Sequence, residues 1–332
     1  MADFKGVLVF GETSEGKITS ITTEILGCGR RLADELQEEL SCVLMGEQLG
    51  DTAQQAIAYG ADKVYAIDDP LLKEYQTDSY VAAAEKVVKE VAPKVLLFGQ
   101  TSIGRDLAPR LSFRLGVSLS MDCLELSINA DTKQLEQTRS VYGGNARATF
   151  ATDMFPQMAT IRQKAMAPVG PDDARKGEVI AFKADLDASQ IRTKVLETIK
   201  EEVEGIKLED AEVVVSGGRG IGSAEGFKQL EELAKALKGA VGASRPPCDN
   251  DWIPDTAQIG LTGKIVTPEL YIAVAISGAS QHLAGCSGSK NIVAINRDAE
   301  ANIFKDARFG VVGDWKQVLP AFTEKVKSLI AG

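Results

Sequence analysis

The chain has 332 residues, more than one compact domain usually holds, so two domains are expected. Its 47 acidic residues against 37 basic ones leave a net charge of -10, which excludes nucleic acid and membrane as expected partners, since both demand clustered Lys and Arg. Five cysteines, Cys28, Cys42, Cys123, Cys248 and Cys286, lack C-x-x-C spacing, and one histidine leaves no zinc set, so free thiols in a reducing compartment and no metal are expected. The first residues run straight into the strand-like Val7 to Phe10, without an apolar signal core or a transit-type stretch. A bacterial-type cytoplasmic protein is expected, although a processed organelle protein would look the same.

The first half alternates short apolar runs with amphipathic stretches, the pattern of an α/β sheet. Strands are expected at Val7 to Phe10, Ser41 to Met45, Lys63 to Ile67 and Lys94 to Phe98. Helices are expected at Glu24 to Leu40, Thr52 to Tyr59, Asp78 to Val91, and from Arg105. Between Val117 and Phe182, turn residues such as those of Val141 to Asn145 predict added antiparallel strands. The charged, helix-prone stretch Ser189 to Lys207 reads as an interdomain linker, giving domains at 1–203 and 204–332. A second α/β unit follows, with strands at Glu212 to Val215, Ala240 to Gly242, Tyr271 to Ile276, Asn291 to Ile295 and Gly310 to Val312. Its helices are expected at Ala224 to Leu237 and Trp315 to Ile330.

Ligands of open α/β sheets sit beyond the carboxyl ends of the strands. In the second unit those ends are glycine-rich and polar: Ser216 to Ser223, Gly242 to Pro247, Ser277 to His282, Asn296 to Asp298, and Gly313-Asp314. Glycine lets backbone approach a ligand, and helix N-termini offer unpaired N–H groups to phosphate, as a dinucleotide requires. Gly218-x-Gly220-x-Gly222 departs from G-x-G-x-x-G, so alone it reads equally well as a turn tightened for packing. Arg245, followed by Pro246 and Pro247, is either a rigidly held cation suited to reduced flavin or one half of a surface ion pair. His282, the single histidine, is either a ligand contact or a satisfied structural group. With no nucleophile–base pair, catalytic residues are not expected, and the redox work falls to a cofactor that the protein tunes.

The runs Gln258 to Lys264, Ile265 to Ala273, Ile276 to Gly285 and Ile292 to Asn296 resemble the signature of electron-transfer flavoprotein alpha subunits. So do Ser216 to Gly220, Gly242 to Pro246 and, in the first domain, Leu97 to Gly99, Thr101 to Arg110 and Tyr142 to Asn145. The resemblance covers nearly the whole chain. It implies an N-terminal α/β domain like the adenine nucleotide alpha hydrolases, a C-terminal parallel-sheet domain holding FAD, and a beta subunit completing a heterodimer.

The implied role is an electron carrier, not a stand-alone enzyme, between flavin dehydrogenases, such as the acyl-CoA dehydrogenases of fatty acid beta-oxidation, and downstream acceptors. The alternative is an electron-bifurcating complex using NADH and ferredoxin with an acyl-CoA dehydrogenase. Carried over by position, Arg245 would lie against the isoalloxazine and favour the anionic semiquinone. His282 would approach the flavin C2 carbonyl and Thr262 would bond near N5. Ser244, the backbone of Ile259, Gly260, Leu261, Thr262 and Gly263, and the loop Ser277, Gly278, Ala279, Ser280, Gln281 would hold the ribityl and phosphate portions. Gln258, Arg219, Asn296 and Asp314 complete the expected cofactor contacts. Leu261 stands where many relatives have glutamine. The family's AMP site is implied in the beta subunit, so Thr101 to Arg105 is expected to serve packing and subunit contact instead of a second nucleotide. A self-sufficient NAD-dependent oxidoreductase built on the Gly217 loop is the competing class.

Overall fold

A computed structural model describes residues 4–142, 146–198 and 206–331. The chain divides into two compact units, residues 1–199 and 200–332. This division falls within the stretch expected to be a linker, which opens on a helical turn at Ala188–Gln190 that begins one residue before it, while residues 191–198 have no regular structure. The expected boundary at 203/204 lies outside the described residues, as do positions 143–145 of one first-domain motif.

In the first unit β1 (Val7–Gly11) leads through a small hairpin, β2 (Thr13–Ser14) and β3 (Lys17–Ile18), into α1 (Ser20–Leu36). Then β4 (Leu40–Gly46), α2 (Thr52–Ala58), β5 (Lys63–Asp68), α3 (Thr77–Val91), β6 (Val95–Gly99) and α4 (Ser102–Leu115) alternate. Five more strands follow: β7 (Leu119–Ile128), β8 (Leu135–Val141), β9 (Ala146–Phe150), β10 (Gln157–Ile161) and β11 (Glu178–Ala181). They complete a nine-stranded sheet in the order β11-β5-β4-β1-β6-β10-β7-β8-β9. Strand residues point alternately to the two faces. Val7 and Val9 therefore pack with Ile25, Leu26 and Leu32 of α1, while Leu8 and Phe10 pack with Val81 and Val87 of α3 and Leu107 and Leu111 of α4.

Two expectations need correction. The first helix spans Ser20–Leu36, not Glu24 to Leu40, because Gln37 turns left-handed at φ 61 and the fully buried Leu40 opens β4 against Val7. Its start was hidden by the β-branched Thr22 and Thr23, whose hydroxyls bond the carbonyls of Glu12 and Ser20. The region from Val117 to Phe182 is antiparallel only at β7–β8 and β8–β9. β10 instead inserts between β6 and β7, parallel to both, and β11 pairs parallel with β5. β10 is buried throughout although it carries two polar residues. Gln157 accepts from the Leu135 amide (2.8 Å), and Thr160 accepts from the Asp122 amide (2.8 Å) and donates to Gln100, so these polar groups are satisfied inside a central strand.

The second unit contains β12 (Val213–Gly217), α5 (Ala224–Ala236), β13 (Ala240–Ala243), α6 (Arg245–Asp249), β14 (Leu270–Val274) and α7 (Ser280–Cys286). It ends with β15 (Ile292–Asn296), α8 (Ile303–Asp306), β16 (Phe309–Val312) and α9 (Trp315–Ala331). Five parallel strands lie in the order β13-β12-β14-β15-β16. One face packs Val215, Ile272 and Val274 under Phe227 and Leu230 of α5 and Trp315 and Leu319 of α9. The other packs Val214, Tyr271 and Ala273 under Ile303 and Cys286, joined by Ile259 and Val266 from the long β13–β14 connection, which covers sheet where a crossover helix would otherwise lie. No helix among the described residues is long and apolar enough to cross a membrane.

At the carboxyl ends of β1 and β6, the first-domain motif is spent internally. Thr101 caps α4 by accepting from the Gly104 amide (3.0 Å) and donates to the Glu12 carboxyl (2.6 Å). A Cβ at Gly104 would stand 1.8 Å from the Gly99 carbonyl oxygen, so this glycine serves close packing. Asp106 accepts from Tyr75 (2.8 Å), Thr77 (2.5 Å) and Arg110 (2.9 Å). Burial, only partly offset by the Thr101 hydroxyl, pushes the Glu12 carboxyl up from 4.5 to about 7. The folded chain therefore holds this proton more tightly than the unfolded one, and the group's contribution to stability is lost as pH rises from about 4.5 through about 7. Glu12→Gln is expected to flatten that decline in urea unfolding at pH 5 and pH 8. An undiminished decline in the variant would assign it to another group.

Candidate dinucleotide site at the carboxyl edge of the second sheet

Strand order reverses between β12 and β14, because β12 leads to β13 on one side and the chain then crosses to β14 on the other. Loops leaving such neighbours part and leave a crevice. Here the crevice is lined by backbone. The Gly218 amide bonds the Val274 carbonyl (2.9 Å), and a Cβ at Gly218 would stand 2.1 Å from the Ala275 oxygen. Ala275 takes the left-handed conformation at φ 54, uncommon for a residue with a side chain. Gly278, at φ 82, abuts Ile303, where a Cβ would meet the amide nitrogen at 2.2 Å. Both glycines are thus required by close backbone approach.

Two groups of expected residues assemble on this edge. In the first, Asn296 and Asp314 share a cavity of about 200 Å³ with Gly220 and Gly222 of the loop that also carries the exposed Arg219. The Asn296 amide donates to the Ile276 carbonyl (2.8 Å), which orients it. Arg297, Trp315 and Lys316 line the same cavity and were absent from the expected set. Their position directly after a strand end or a Gly-Asp turn was the available signal. The Trp315 indole donates to the Gly220 carbonyl (3.0 Å), fixing α9 against the glycine loop.

The second group joins three separate segments. Ser244 follows β13, and its amide bonds the Gly217 carbonyl (3.0 Å). The connection from Gln258 to Lys264 is tied to the sheet by the Ile259 amide on the Ala243 carbonyl (2.8 Å), and to α7 by the Leu261 amide on the Gln281 carbonyl (2.7 Å). Gly260 and Gly263 make its tight turn, with the Gly263 amide on the Gly260 carbonyl (3.0 Å) and the Lys264 amide on that of Gln258 (2.7 Å). Gln258 donates to the Thr262 hydroxyl (3.0 Å). Leu261, Thr262, Ser277, Ala279 and Gln281 are exposed along this edge, with Ser280 partly so.

Arg245 and His282 differ from the simplest expectation. Pro246 and Pro247 do set the backbone, placing Arg245 at the first position of α6, but its guanidinium is 66% exposed and pairs with Asp249 one turn on (3.2 Å). An exposed pair of this kind holds a side chain weakly. His282 is 6% exposed, and both ring nitrogens are engaged within the unit, by the Ile259 carbonyl (3.0 Å) and the Tyr271 hydroxyl (2.9 Å). Burial lowers its pKa to about 4, so it is neutral at physiological pH.

The profile of the electron transfer flavoprotein domain matches residues 7–187, and that of the electron transfer flavoprotein FAD-binding domain matches residues 207–287. The electron transfer flavoprotein subunit alpha of Thermoanaerobacterium thermosaccharolyticum is 47% identical over 330 residues, spanning 99% of this chain and 100% of that one. This chain belongs to the electron transfer flavoprotein alpha family. The subunit alpha of Bacillus subtilis is 42% identical over 98% of both chains, and the protein FixB of Clostridium saccharobutylicum is 42% identical over 100% of this chain and 99% of its own.

FAD is the cofactor of the family's second domain, and electron transfer is its role. The residues of this electron transfer flavoprotein alpha chain fit such a group. The crevice is walled by backbone where any side chain would intrude, Gly222 faces open space, and the exposed donors are hydroxyls, amides and the cations Arg219 and Arg245. Gly218→Ala is expected to push the β12 and β14 loops apart, at a cost of about 1–3 kcal/mol, and so to weaken FAD binding by about tenfold or more. Fluorescence titration with FAD checks this, and wild-type affinity would remove the crevice from the site.

Proposed function

We propose that this chain is the FAD-holding half of a heterodimer with an electron-transfer flavoprotein beta subunit, carrying electrons from flavin dehydrogenases, such as acyl-CoA dehydrogenases, to downstream acceptors. One observation carries the reading. Ser244 and Arg245, Gln258 to Gly263, and Ser277 to His282 converge on one edge of a parallel sheet that offers many donors but no nucleophile with a base beside it, since the single histidine is buried and partnered. A surface of this kind binds and tunes a redox group and leaves the chemistry to it.

In this reading residues 204–332 hold FAD and residues 1–203 serve mainly for subunit contact. The Ile259 to Gly263 backbone, Ser244 and the 277–281 loop hold the ribityl and phosphate portions. Thr262 bonds near the reactive ring and Gln258 orients its hydroxyl. Arg219, Asn296 and Asp314 take the remaining contacts. Arg245 supplies the positive charge that favours reduced, anionic flavin, and its exposed pairing with Asp249 leaves it free to exchange that carboxylate for the ligand. The five cysteines are free and buried, which suits a reducing cytoplasm.

Two measurements test this. Flavin and nucleotide are counted in the heterodimer co-purified from its native source: one FAD and one AMP, with no reduction by NADH, is expected. Two FAD with rapid NADH reduction would replace the simple carrier by an electron-bifurcating complex, and a homo-oligomer turning over substrate with NAD would overturn the reading. Arg245→Ala is expected to lower the flavin midpoint potential, by about 59 mV for each tenfold loss of preference for the reduced anion. An unchanged potential would show the charge is supplied elsewhere.

A further inference from the structure

The side chain of His282 connects two elements that backbone bonding alone does not join. On one side is the carbonyl of Ile259, in the loop running to Gly263, and on the other the hydroxyl of Tyr271, in the middle of the sheet. A carbonyl only accepts, so Nδ1 carries the ring proton. In a neutral imidazole Nε2 is then the acceptor, and the Tyr271 hydroxyl must donate to it. Tyr271 is fully buried, and its oxygen also meets the thiol of Cys286, one turn along α7 from His282. The chain of contacts therefore runs from β14 through the only histidine to the loop expected to carry the flavin.

We propose that Tyr271 is a positioning residue of the flavin site: by donating to Nε2 it holds His282 in the neutral Nδ1–H form, whose one N–H anchors the Ile259 carbonyl and thereby the Gln258–Gly263 loop. The inference rests on the reading of that loop as a flavin contact. It assigns the histidine a role other than that of a cation. The groups facing the ring support this. They are Tyr271 from β14 and Cys286 from its own helix, with Ser216 of β12 beside the Tyr271 hydroxyl and the Asp306 carboxylate of α8 acting on the thiol. No ion pair of the ring exists among the described residues. Burial lowers the histidine pKa to about 4, so the ring stays uncharged where the flavin works. Positive charge at this edge then falls to Arg245 and Arg219, to Arg297 and Lys316 of the neighbouring cavity, and to backbone N–H groups.

The histidine is unique in the chain, so its ring nitrogens can be read directly by NMR after selective 15N-histidine labelling of this subunit, assembled with its unlabelled partner and FAD. One Nδ1-protonated tautomer, unchanged from pH 8 to pH 6, is expected. An Nε2-protonated ring, or an imidazolium at pH 6, overturns the proposal. Tyr271→Phe is expected to introduce the second tautomer or a titrating ring, and to raise the FAD dissociation constant by about twofold to tenfold. An unaltered tautomer and affinity in that variant would also overturn it. If Tyr271→Phe does not fold, His282→Asn, whose amide nitrogen can still reach the Ile259 carbonyl, is compared with His282→Ala. Asparagine retaining most of the affinity that alanine loses supports an anchoring role, and equal losses count against it. Should the assembled protein bind no flavin while the wild-type spectrum still shows the Nδ1–H tautomer, the functional reading fails and the anchoring geometry stands.

Discussion

The bond from the Ile259 amide to the Ala243 carbonyl is the constraint from which the second unit's site is built. It extends the edge of a parallel sheet with a stretch that is not itself a strand, and so places the Gln258 to Gly263 turn beside the residues that follow β13. The Leu261 amide on Gln281 then fastens the same turn to α7, and the buried side chains of Ile259 and Val266 close the sheet face beneath it. Three segments distant in sequence become one surface because backbone polar groups at the sheet's end must be paired. Specific chemistry at the exposed side of the turn follows from satisfying the buried side.

That arrangement separates rigidity from charge. The rigid parts are neutral: glycines packed against carbonyl oxygens at the β12–β14 crevice, and a histidine whose two nitrogens are already used. The charged parts are exposed: Arg219 and Arg245 stand in solvent, and the second pairs with Asp249 on the surface. A carrier that must accept and release electrons benefits from such a division. Fixed dipoles set the environment without reorganisation, while a cation held by one exposed pair is available to the charge that develops. The first unit shows the contrasting use of a similar sheet edge. There the helix start is occupied by the protein's own Thr101 and Glu12, and the residues that looked like a phosphate loop are consumed by packing.

Much of the architecture was legible because buried parallel strands are short apolar runs and their ends are punctuated by glycine. Every strand of the second unit fell within two residues of its expected bounds, and the polar strand ends were the edge where Ser244, Gln258 to Gly263 and Ser277 to His282 assemble. What escaped detection has specific causes. β10 carries Gln157 and Thr160, whose internal partners let polar residues occupy a central strand, and no local pattern reports partners far away in sequence. The threonines at the start of α1 argued against helix until their bonds to Glu12 and Ser20 are seen. A surface ion pair was an open alternative for Arg245, and its partner, Asp249 one helical turn on, became evident only once α6 was seen to be helical. The Tyr271 contact with His282 was not readable, because it depends on where α7 crosses β14.

The proposed site puts FAD on the carboxyl edge of the second sheet and not on that of the first. A crystal structure of the FAD-loaded heterodimer tests it most directly. Cofactor density is expected against the Gln258 to Gly263 turn, Arg245 and the loops after β12 and β14, with His282 still bonded to Ile259 and Tyr271. Cofactor density in this subunit beside Thr101 and Glu12, with the second edge empty, would contradict it.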